Sequence, residues 1–223
     1  MVGQNVEKTH KLIPLAKVEH PLQALSAYLP DGAFEPVLAL IHQYKVHLTV
    51  TKARKSVLGD YRHPFLGANH KISVNGNLNK YEFLITLLHE LGHLLCYEQY
   101  KNRVDAHGKE WKFLYGSLLA DFIQQGIFPA DIKKSLQKTV LNPAATANGE
   151  TALLLVLRKY DTVKKEGMAF VAHLPEGALF ETEKGKLFKK IKKRRIRIEC
   201  VEVATGHVYS FSGLSEVKII NLK

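Results

Sequence analysis

The stretch of this chain that most restricts its fold and chemistry is residues 84–96, LITLLHELGHLLC. Its apolar residues recur at helical spacing and form a stripe wide enough to bury a helix. His89 and His93 are four residues apart, so their imidazoles lie on one helical face and can bind one metal ion. Glu90 cannot easily reach the same ion, but it can take a proton from a water beside it. The stretch predicts a Zn²⁺ site with His89 and His93 as ligands and Glu90 as general base.

The start and the middle of this helix also have sequence signals. Asn79, with Glu82 three residues later, resembles a capping box and predicts a helix that begins near Lys80. Gly92, in the helix interior, costs about 1 kcal/mol relative to Ala. We therefore expect another part of the backbone, or the metal site itself, to lie close to Gly92.

A catalytic zinc site needs a third protein ligand and an open position for water. The metzincin spacing requires Gly and His at positions that here are Cys96 and Gln99, so that arrangement is excluded. Two candidates remain at this point: Glu110 on the next predicted helix, and His107 in the loop that precedes it.

His107 is followed by Gly108 and Trp111, so an H-G-x-x-W motif comes after the H-E-x-x-H motif. In this combination, and in the order of helices, small sheet and metal helix, residues 20–125 resemble the SprT-like (Spartan-type) metalloproteases. The resemblance implies a zincin-like fold and proteolysis of proteins that are bound or crosslinked to DNA. It also implies three Zn²⁺ ligands and one base: His89, His93, His107 and Glu90.

Two further expectations come with the resemblance. The strand predicted before the metal helix, residues 71–76, is expected to be the sheet edge on which an extended substrate pairs through its main chain. Many members carry a C-terminal zinc ribbon built from paired cysteines, whereas this chain has only Cys96 and Cys200. The resemblance is therefore to a bacterial-type member that lacks the ribbon.

The elements predicted along the chain make an α+β protein of two domains. Residues 1–141 are predicted to form the zincin-like catalytic domain, with helices around a small three-stranded sheet and the H-E-x-x-H helix. Residues 142–150 form a linker of small and polar residues. Residues 151–223 form a small, basic, β-rich domain, interpreted as a metal-free counterpart of the ribbon. Residues 151–158 are expected to be a short helix, with a strand as the alternative.

Positive charge is concentrated in the C-terminal third of the chain. The formal net charge is +11, and residues 151–223 hold fifteen Lys and Arg against eight Asp and Glu. This excess predicts contact with a polyanion, DNA first. The residues predicted to contact DNA are Lys189, Lys190, Lys192, Lys193, Arg194, Arg195 and Arg197. Tyr209 or Phe211, if exposed, would stack on single-stranded bases. The alternative is a solvated strand edge protected by lysines.

The remaining features limit the setting and leave two other functions open. No apolar run approaches the roughly eighteen residues of a membrane span, and the N-terminus has no apolar segment typical of a signal peptide. Two cysteines argue against a disulfide scaffold, so we expect a cytoplasmic, nucleoid-associated protein. From the positive charge and the resemblance, we expect its partners to be DNA, including single strands, and DNA-bound proteins. A non-enzymatic nucleic-acid-binding module with a structural zinc is one alternative. A zinc hydrolase of RNA is the other, although its third His would lie closer than His107.

Overall fold

The computed structural model describes residues 22–54, 56–144, 150–163, 166–195 and 197–220, and it has an α+β architecture. Helices surround a small sheet in the first part of the chain. These elements are α1 (Phe34–Gln43), β1 (His47–Thr51), β2 (Gly59–Arg62), β3 (Lys71–Asn75), α2 (Lys80–Tyr100), α3 (Lys109–Gln124), α4 (Ala130–Leu141) and α5 (Thr151–Leu157), with 3-10 helices at Gln23–Tyr28 and Arg158–Tyr160. The helix expected near residue 151 is confirmed.

The first sheet has the strand order β1-β3-β2. β1 runs parallel to β3, and β2 runs antiparallel to it. Ile72 on β3 is therefore paired on both sides, with Leu48 on β1 and Tyr61 on β2. The expectation that residues 71–76 form the sheet edge is wrong, because both rows of main-chain hydrogen-bonding groups on β3 are already paired. The edge strand that packs against α2 is β2.

α2 is the central helix of this part, and it packs against α3 on one side and against β2 and β3 on another. Its apolar residues bury nearly the whole surface between Phe83 and Leu94. The predicted cap is confirmed: Oδ1 of Asn79 accepts a hydrogen bond from the backbone N–H of Glu82 at 3.0 Å. The cap satisfies one of the backbone donors that a helix leaves unpaired at its start.

The first turn of α2 is also tied to a segment that lies much later in the chain. The guanidinium of Arg158 donates to both carboxylate oxygens of the buried Glu82, at 2.7 and 2.6 Å. The side-chain amide of Asn79 donates to the carbonyl of Leu157 at 3.0 Å and to Oδ1 of Asp161 at 2.7 Å. The carboxylate of Glu82 therefore binds Arg158. In a complete capping box it would instead accept a hydrogen bond from the main-chain N–H of Asn79.

A six-stranded antiparallel sheet follows, with the strand order β4-β9-β5-β6-β7-β8. Its strands are β4 (Met168–Phe170), β5 (Leu179–Glu181), β6 (Leu187–Lys193), β7 (Ile198–Glu202), β8 (Val208–Phe211) and β9 (Glu216–Ile220). Ile198 and Cys200 alternate along β7 toward a small buried cluster that includes Phe180, Phe188 and Val217. This sheet agrees with the β-rich C-terminal region expected from the sequence.

Two hydrophobic clusters divide the described residues. Leu153, Leu154 and Leu157 of α5 belong to the first cluster, together with the core of α2. The sequence analysis assigned these residues to the C-terminal domain, whereas their packing places them with the N-terminal core. The domain limits themselves stay a prediction, because the first 21 residues and residues 145–149 of the expected linker lie outside the described part. No helix in the described ranges is both long and apolar enough to cross a membrane.

Candidate metal centre

α2 and the loop before α3 bring three imidazoles together. His89 and His93 lie one turn apart on α2, and His107 lies two residues before α3 begins. One potential ligand atom from each of the three lies within 4.8 Å of the others. The ring centroids are 5.1 Å apart for His89 and His93, 4.6 Å for His93 and His107, and 5.5 Å for His89 and His107. Glu110, the alternative to His107 as third ligand, is not a member of this group among the described residues.

Trp111 forms the wall behind the three imidazoles. Its fully buried indole lies 4.8, 5.2 and 4.7 Å from the rings of His89, His93 and His107, centroid to centroid. Because one H-G-x-x-W motif carries both His107 and Trp111, the start of α3 sets the ligand loop and its packing wall together. Gly92 makes this approach possible: a Cβ there would lie 3.0 Å from Cβ of Tyr115 and 3.2 Å from Nε1 of Trp111. The expected close approach at Gly92 is confirmed.

The donor set fits a metal ion. Nε2 of His107 is buried and has no hydrogen-bond partner. A buried polar atom without a partner is costly, and native structures rarely leave one unpaired. An imidazole nitrogen that faces two other imidazoles satisfies its lone pair by coordinating a cation. The three histidines can therefore hold one metal ion.

Burial keeps these imidazoles in the neutral form that a metal requires. It lowers the pKa of His89 to about 3, with smaller contributions from His93 and His107. Burial likewise lowers the pKa of His93 to about 4, with His107 as the second cause. The pKa of His107 is also lowered by burial. At neutral pH no proton has to be displaced from these nitrogens.

Glu90 lies beside the imidazoles, between α2 and the edge strand. A Cβ on Gly59 of β2 would lie 2.5 Å from Oε1 of Glu90, so the strand backbone passes directly over the carboxylate. The pKa of Glu90 is raised to about 8, mainly by burial and to a lesser extent by the nearby Asp60, while Arg54 opposes the shift. Gly59 was not predicted as a site residue, although a glycine inside a predicted strand is a sign that another group lies close to the strand backbone.

An open cleft of about 550 Å³ leads to these groups. The loop before β2 and the strand itself, residues 56–61, form one wall. α2 contributes Tyr97 and Cys96 beyond the histidines, and residues 101–107 close the opposite side. The cleft therefore runs along the free edge of the first sheet.

Tyr61 of β2 faces this cleft, and it is held there by the buried His70, which in turn contacts the exposed Glu98. Its hydroxyl is 3.0 Å from Nδ1 of His70, and Nε2 of His70 is 3.4 Å from Oε1 of Glu98. The carboxylate favours a proton on Nε2, which leaves Nδ1 to accept a hydrogen bond from Tyr61. The ring of Tyr61 is parallel to that of His93, with centroids 6.4 Å apart. Arg62, by contrast, is exposed and pairs with Asp60.

Most residues of the predicted DNA contact lie on or beside the β6–β7 hairpin. The backbone N–H of Arg194 donates to the carbonyl of Arg197 and closes its turn. Six of the seven predicted residues are exposed there: Lys189, Lys192, Lys193, Arg194, Arg195 and Arg197. Arg194 pairs with Glu199, and Arg197 donates to the side chain and carbonyl of Ser210.

Lys190 is a correction to that prediction. Its side chain is 6% exposed, and its ammonium donates to the carbonyls of Val171, Ala172 and Leu174 within 3.3 Å. All three N–H donors of a lysine are then used, and none is left for a phosphate. A bulge between Lys190 and Lys192 follows, so the two side chains point to different sides of the sheet.

The basic and aromatic residues of this sheet share a face only in part: Lys193 pairs with Ile198, which pairs with Phe211 on β8. Tyr209 pairs with Cys200 on β7, whereas Lys192 pairs with Glu199, which faces the other way. Tyr209 packs edge-on against Phe188 and donates its hydroxyl to Glu202. Phe211 is half-buried against Phe180 and Phe188. Tyr209 nevertheless stays 39% exposed, so of the two rings expected to stack on single-stranded bases it is the accessible one.

The family model of the SprT-like family matches residues 30–126, the segment that contains the first sheet, the three imidazoles and Trp111. Neither a curated protein nor a solved structure matches the chain. The family suggests a metallopeptidase-like function, and three neighbouring histidines that can hold a metal ion are compatible with it. The match over residues 30–126 is consistent with a member of the SprT-like family.

Proposed function

We propose that this protein is a zinc-dependent endopeptidase with a zincin-like catalytic domain, and that it cleaves proteins bound or crosslinked to DNA. The observation that carries the proposal is the position of Glu90 beside the cluster of His89, His93 and His107, at the bottom of an open cleft. Three neutral imidazoles suit zinc among the common divalent ions. An open cleft leaves room for water and a peptide, which a structural zinc site would exclude.

The chemistry assigns two proton transfers to Glu90. Its carboxylate accepts a proton from the attacking water and then gives it to the leaving amine. A proton affinity raised by burial suits a group that must both take and return a proton near neutral pH. Zn²⁺, when bound by the three histidines, supplies Lewis-acid polarisation of the substrate carbonyl. Trp111 and Tyr115 keep the imidazoles in place by packing against them.

The free edge of β2 is the proposed support for the substrate backbone. β2 is a terminal strand of its sheet, lines the cleft, and passes over Glu90 at Gly59. An extended peptide that pairs with such an edge is held mainly by main-chain hydrogen bonds, which are largely blind to sequence. This recognition suits a protease whose targets are defined by their location on DNA.

The β6–β7 hairpin is the proposed point of attachment to DNA, in the cytoplasm and at the nucleoid. Lys192, Lys193 and Arg195 are exposed, and none of the three forms an ion pair with a described residue, whereas Arg194 pairs with Glu199. Such groups bind phosphates and release counterions. We expect these charges to bind the backbone of either duplex or single-stranded DNA, and the exposed Tyr209 to add stacking on single strands.

Conversion of Glu90 to Gln tests the catalytic proposal. Glu90→Gln retains size and hydrogen bonding but removes the base, so zinc content and folding should survive while cleavage of a DNA-bound protein disappears. Glu110→Gln is the matched control, because this carboxylate lies near the site but outside the histidine group. Equal cleavage by wild type and Glu90→Gln would disprove the mechanism. A wild-type protein that holds zinc but cleaves no protein with or without DNA would favour the nucleic-acid-binding module.

A further inference from the structure

We infer that the turn after β2, residues 65–68, is a hydrophobic anchor for an apolar side chain of the extended polypeptide substrate. The inference rests on the proposed peptidase function and names the kind of segment that its cleft receives. Phe65 and Leu66 form the anchor, and the turn is closed by a hydrogen bond from the N–H of Ala68 to the carbonyl of Phe65 at 3.0 Å.

The two side chains are unusually exposed for their size. Phe65 is 70% and Leu66 is 90% exposed, although they are adjacent large apolar residues. Single exposed apolar residues are common on soluble proteins, whereas contiguous exposed ones mark binding surfaces. Neither side chain belongs to the hydrophobic clusters of the described residues, so packing does not account for them.

The backbone of the turn provides a second, independent observation. Leu66 has a φ of +48°, a left-handed conformation that is unfavourable for a branched apolar residue. Asn or Gly is the usual residue there, and each would also be better hydrated at the surface. A strained residue that contributes no packing is a reason to look for function at that position.

The position of the turn identifies what it binds. It continues directly from β2, the edge strand proposed to pair with the substrate, and His63 between them lines the cleft and stacks on Tyr97 at 4.7 Å. Gly59, over Glu90, is six residues before Phe65, which limits their separation to roughly 20 Å. A peptide extended along β2 at about 3.3 Å per residue brings a side chain to the anchor some four to six residues from the cleaved bond.

The chemistry of the anchor selects unfolded segments. Folded proteins bury their large apolar side chains, whereas unfolded segments expose them. An apolar anchor beside a main-chain-pairing edge therefore prefers extended segments that contain Leu, Ile or Phe. It adds selectivity for local unfolding without selecting a particular sequence.

The test measures binding in a background that cannot cleave. Two labelled peptides are compared, identical except that one carries Leu and the other Ser at positions about four to six residues on either side of the central bond. Fluorescence anisotropy with zinc-loaded Glu90→Gln should show tighter binding of the Leu peptide. Phe65→Ser with Leu66→Asn should weaken that binding about tenfold and leave the Ser peptide unaffected. Because Asn tolerates the left-handed conformation, the melting temperature should stay equal or rise.

The matched control is Phe113→Ser with Leu141→Ser. These apolar residues are 72% and 86% exposed, but they lie on α3 and α4 and not on the turn that continues from β2. The control should bind both peptides as the parent does. Unchanged Leu-peptide affinity in the Phe65/Leu66 variant, or equal weakening in the control, would overturn the anchor. The anchor would also be overturned if the only effect of the Phe65/Leu66 variant were the loss of a dimer in solution or the loss of vesicle binding.

These outcomes separate the anchor from the proposed peptidase activity. Binding is measured without hydrolysis, so an inactive wild type refutes the peptidase while the peptide comparison still decides the anchor. In an active enzyme, loss of the anchor should raise KM for an apolar substrate with little change in kcat, because the contact is remote from the reacting bond.

Discussion

Gly59 on β2 and Glu90 on α2 lie so close together that a Cβ on the glycine would be 2.5 Å from Oε1 and 2.8 Å from Cγ of the glutamate. β2 therefore restricts the side-chain conformations of Glu90, whose backbone is fixed by α2. Any side chain on residue 59 has to displace the carboxylate or the strand.

Gly59→Ala should lower kcat by about ten- to a hundredfold, because small displacements of a catalytic group have effects of that size. Zinc content should remain at one ion per chain, since the ligands lie on α2 and the following loop. Gly76→Ala, directly after β3, is a matched control: its Cβ would lie 2.7 Å from Cγ1 of Val50 and 3.3 Å from Tyr28, and Glu90 is not among its nearest neighbours. If both variants lose activity in proportion to stability, the contact with Glu90 has no specific role.

His107→Ala should sharply reduce metal content, because two imidazoles of one helix offer fewer ligands than a zinc site needs. Elemental analysis of the purified protein measures this directly. Glu110→Gln should leave the zinc content unchanged, since Glu110 lies outside the histidine group. Full retention of zinc in His107→Ala, with loss in Glu110→Gln, would reverse the assignment of the third ligand.

Replacement of Lys192, Lys193 and Arg195 by Gln should weaken DNA binding and flatten its salt dependence by about 2 to 3 in slope, since each neutralised phosphate releases nearly one counterion. Zinc content should not change. Lys133, Lys134 and Lys138 are exposed on α4, and their conversion to Gln removes the same charge as a control. Equal affinity of the two triple variants for DNA would show that only net charge matters.

Lys190→Met should destabilise the protein by about 1–3 kcal/mol, because three buried carbonyls lose a charged donor. Lys192→Met, two residues away on the exposed face, should change the free energy of unfolding by less than about 0.5 kcal/mol. Urea unfolding of both variants measures the difference. Similar values for the two would mean that the Lys190 ammonium contributes no net stability.

Local periodicity was enough to predict the part of the site that α2 carries. The four-residue spacing of His89 and His93 has a geometric consequence within one helix, and the Asn79 cap depends on neighbours three residues away. His107 is different: its distance to α2 depends on how α3 packs, and only the resemblance to a family favoured it over Glu110. Whether a histidine fourteen residues later joins a site is a tertiary question.

The errors in the sequence interpretation also have tertiary causes. Strand order depends on pairings between distant segments, so residues 71–75 could not be recognised as a central strand from their own pattern. Lys190 was grouped with its neighbours because that prediction rested on the density of positive charge in residues 184–197, which does not assign a side chain to a face of the sheet. The carbonyls that bind Lys190 come from residues 171–174, on another element.

The bonds that join the first turn of α2 to residues 157–161 affect how such a chain can be divided. A fragment that ends at residue 141 would leave the carboxylate of Glu82 buried without its guanidinium, and Asn79 without two of its acceptors. An exchange of tails between relatives, by recombination or by protein engineering, would have to place its junction after Asp161. The first turn of α2 is therefore stabilised by residues 157–161, and the two segments cannot diverge independently at these positions.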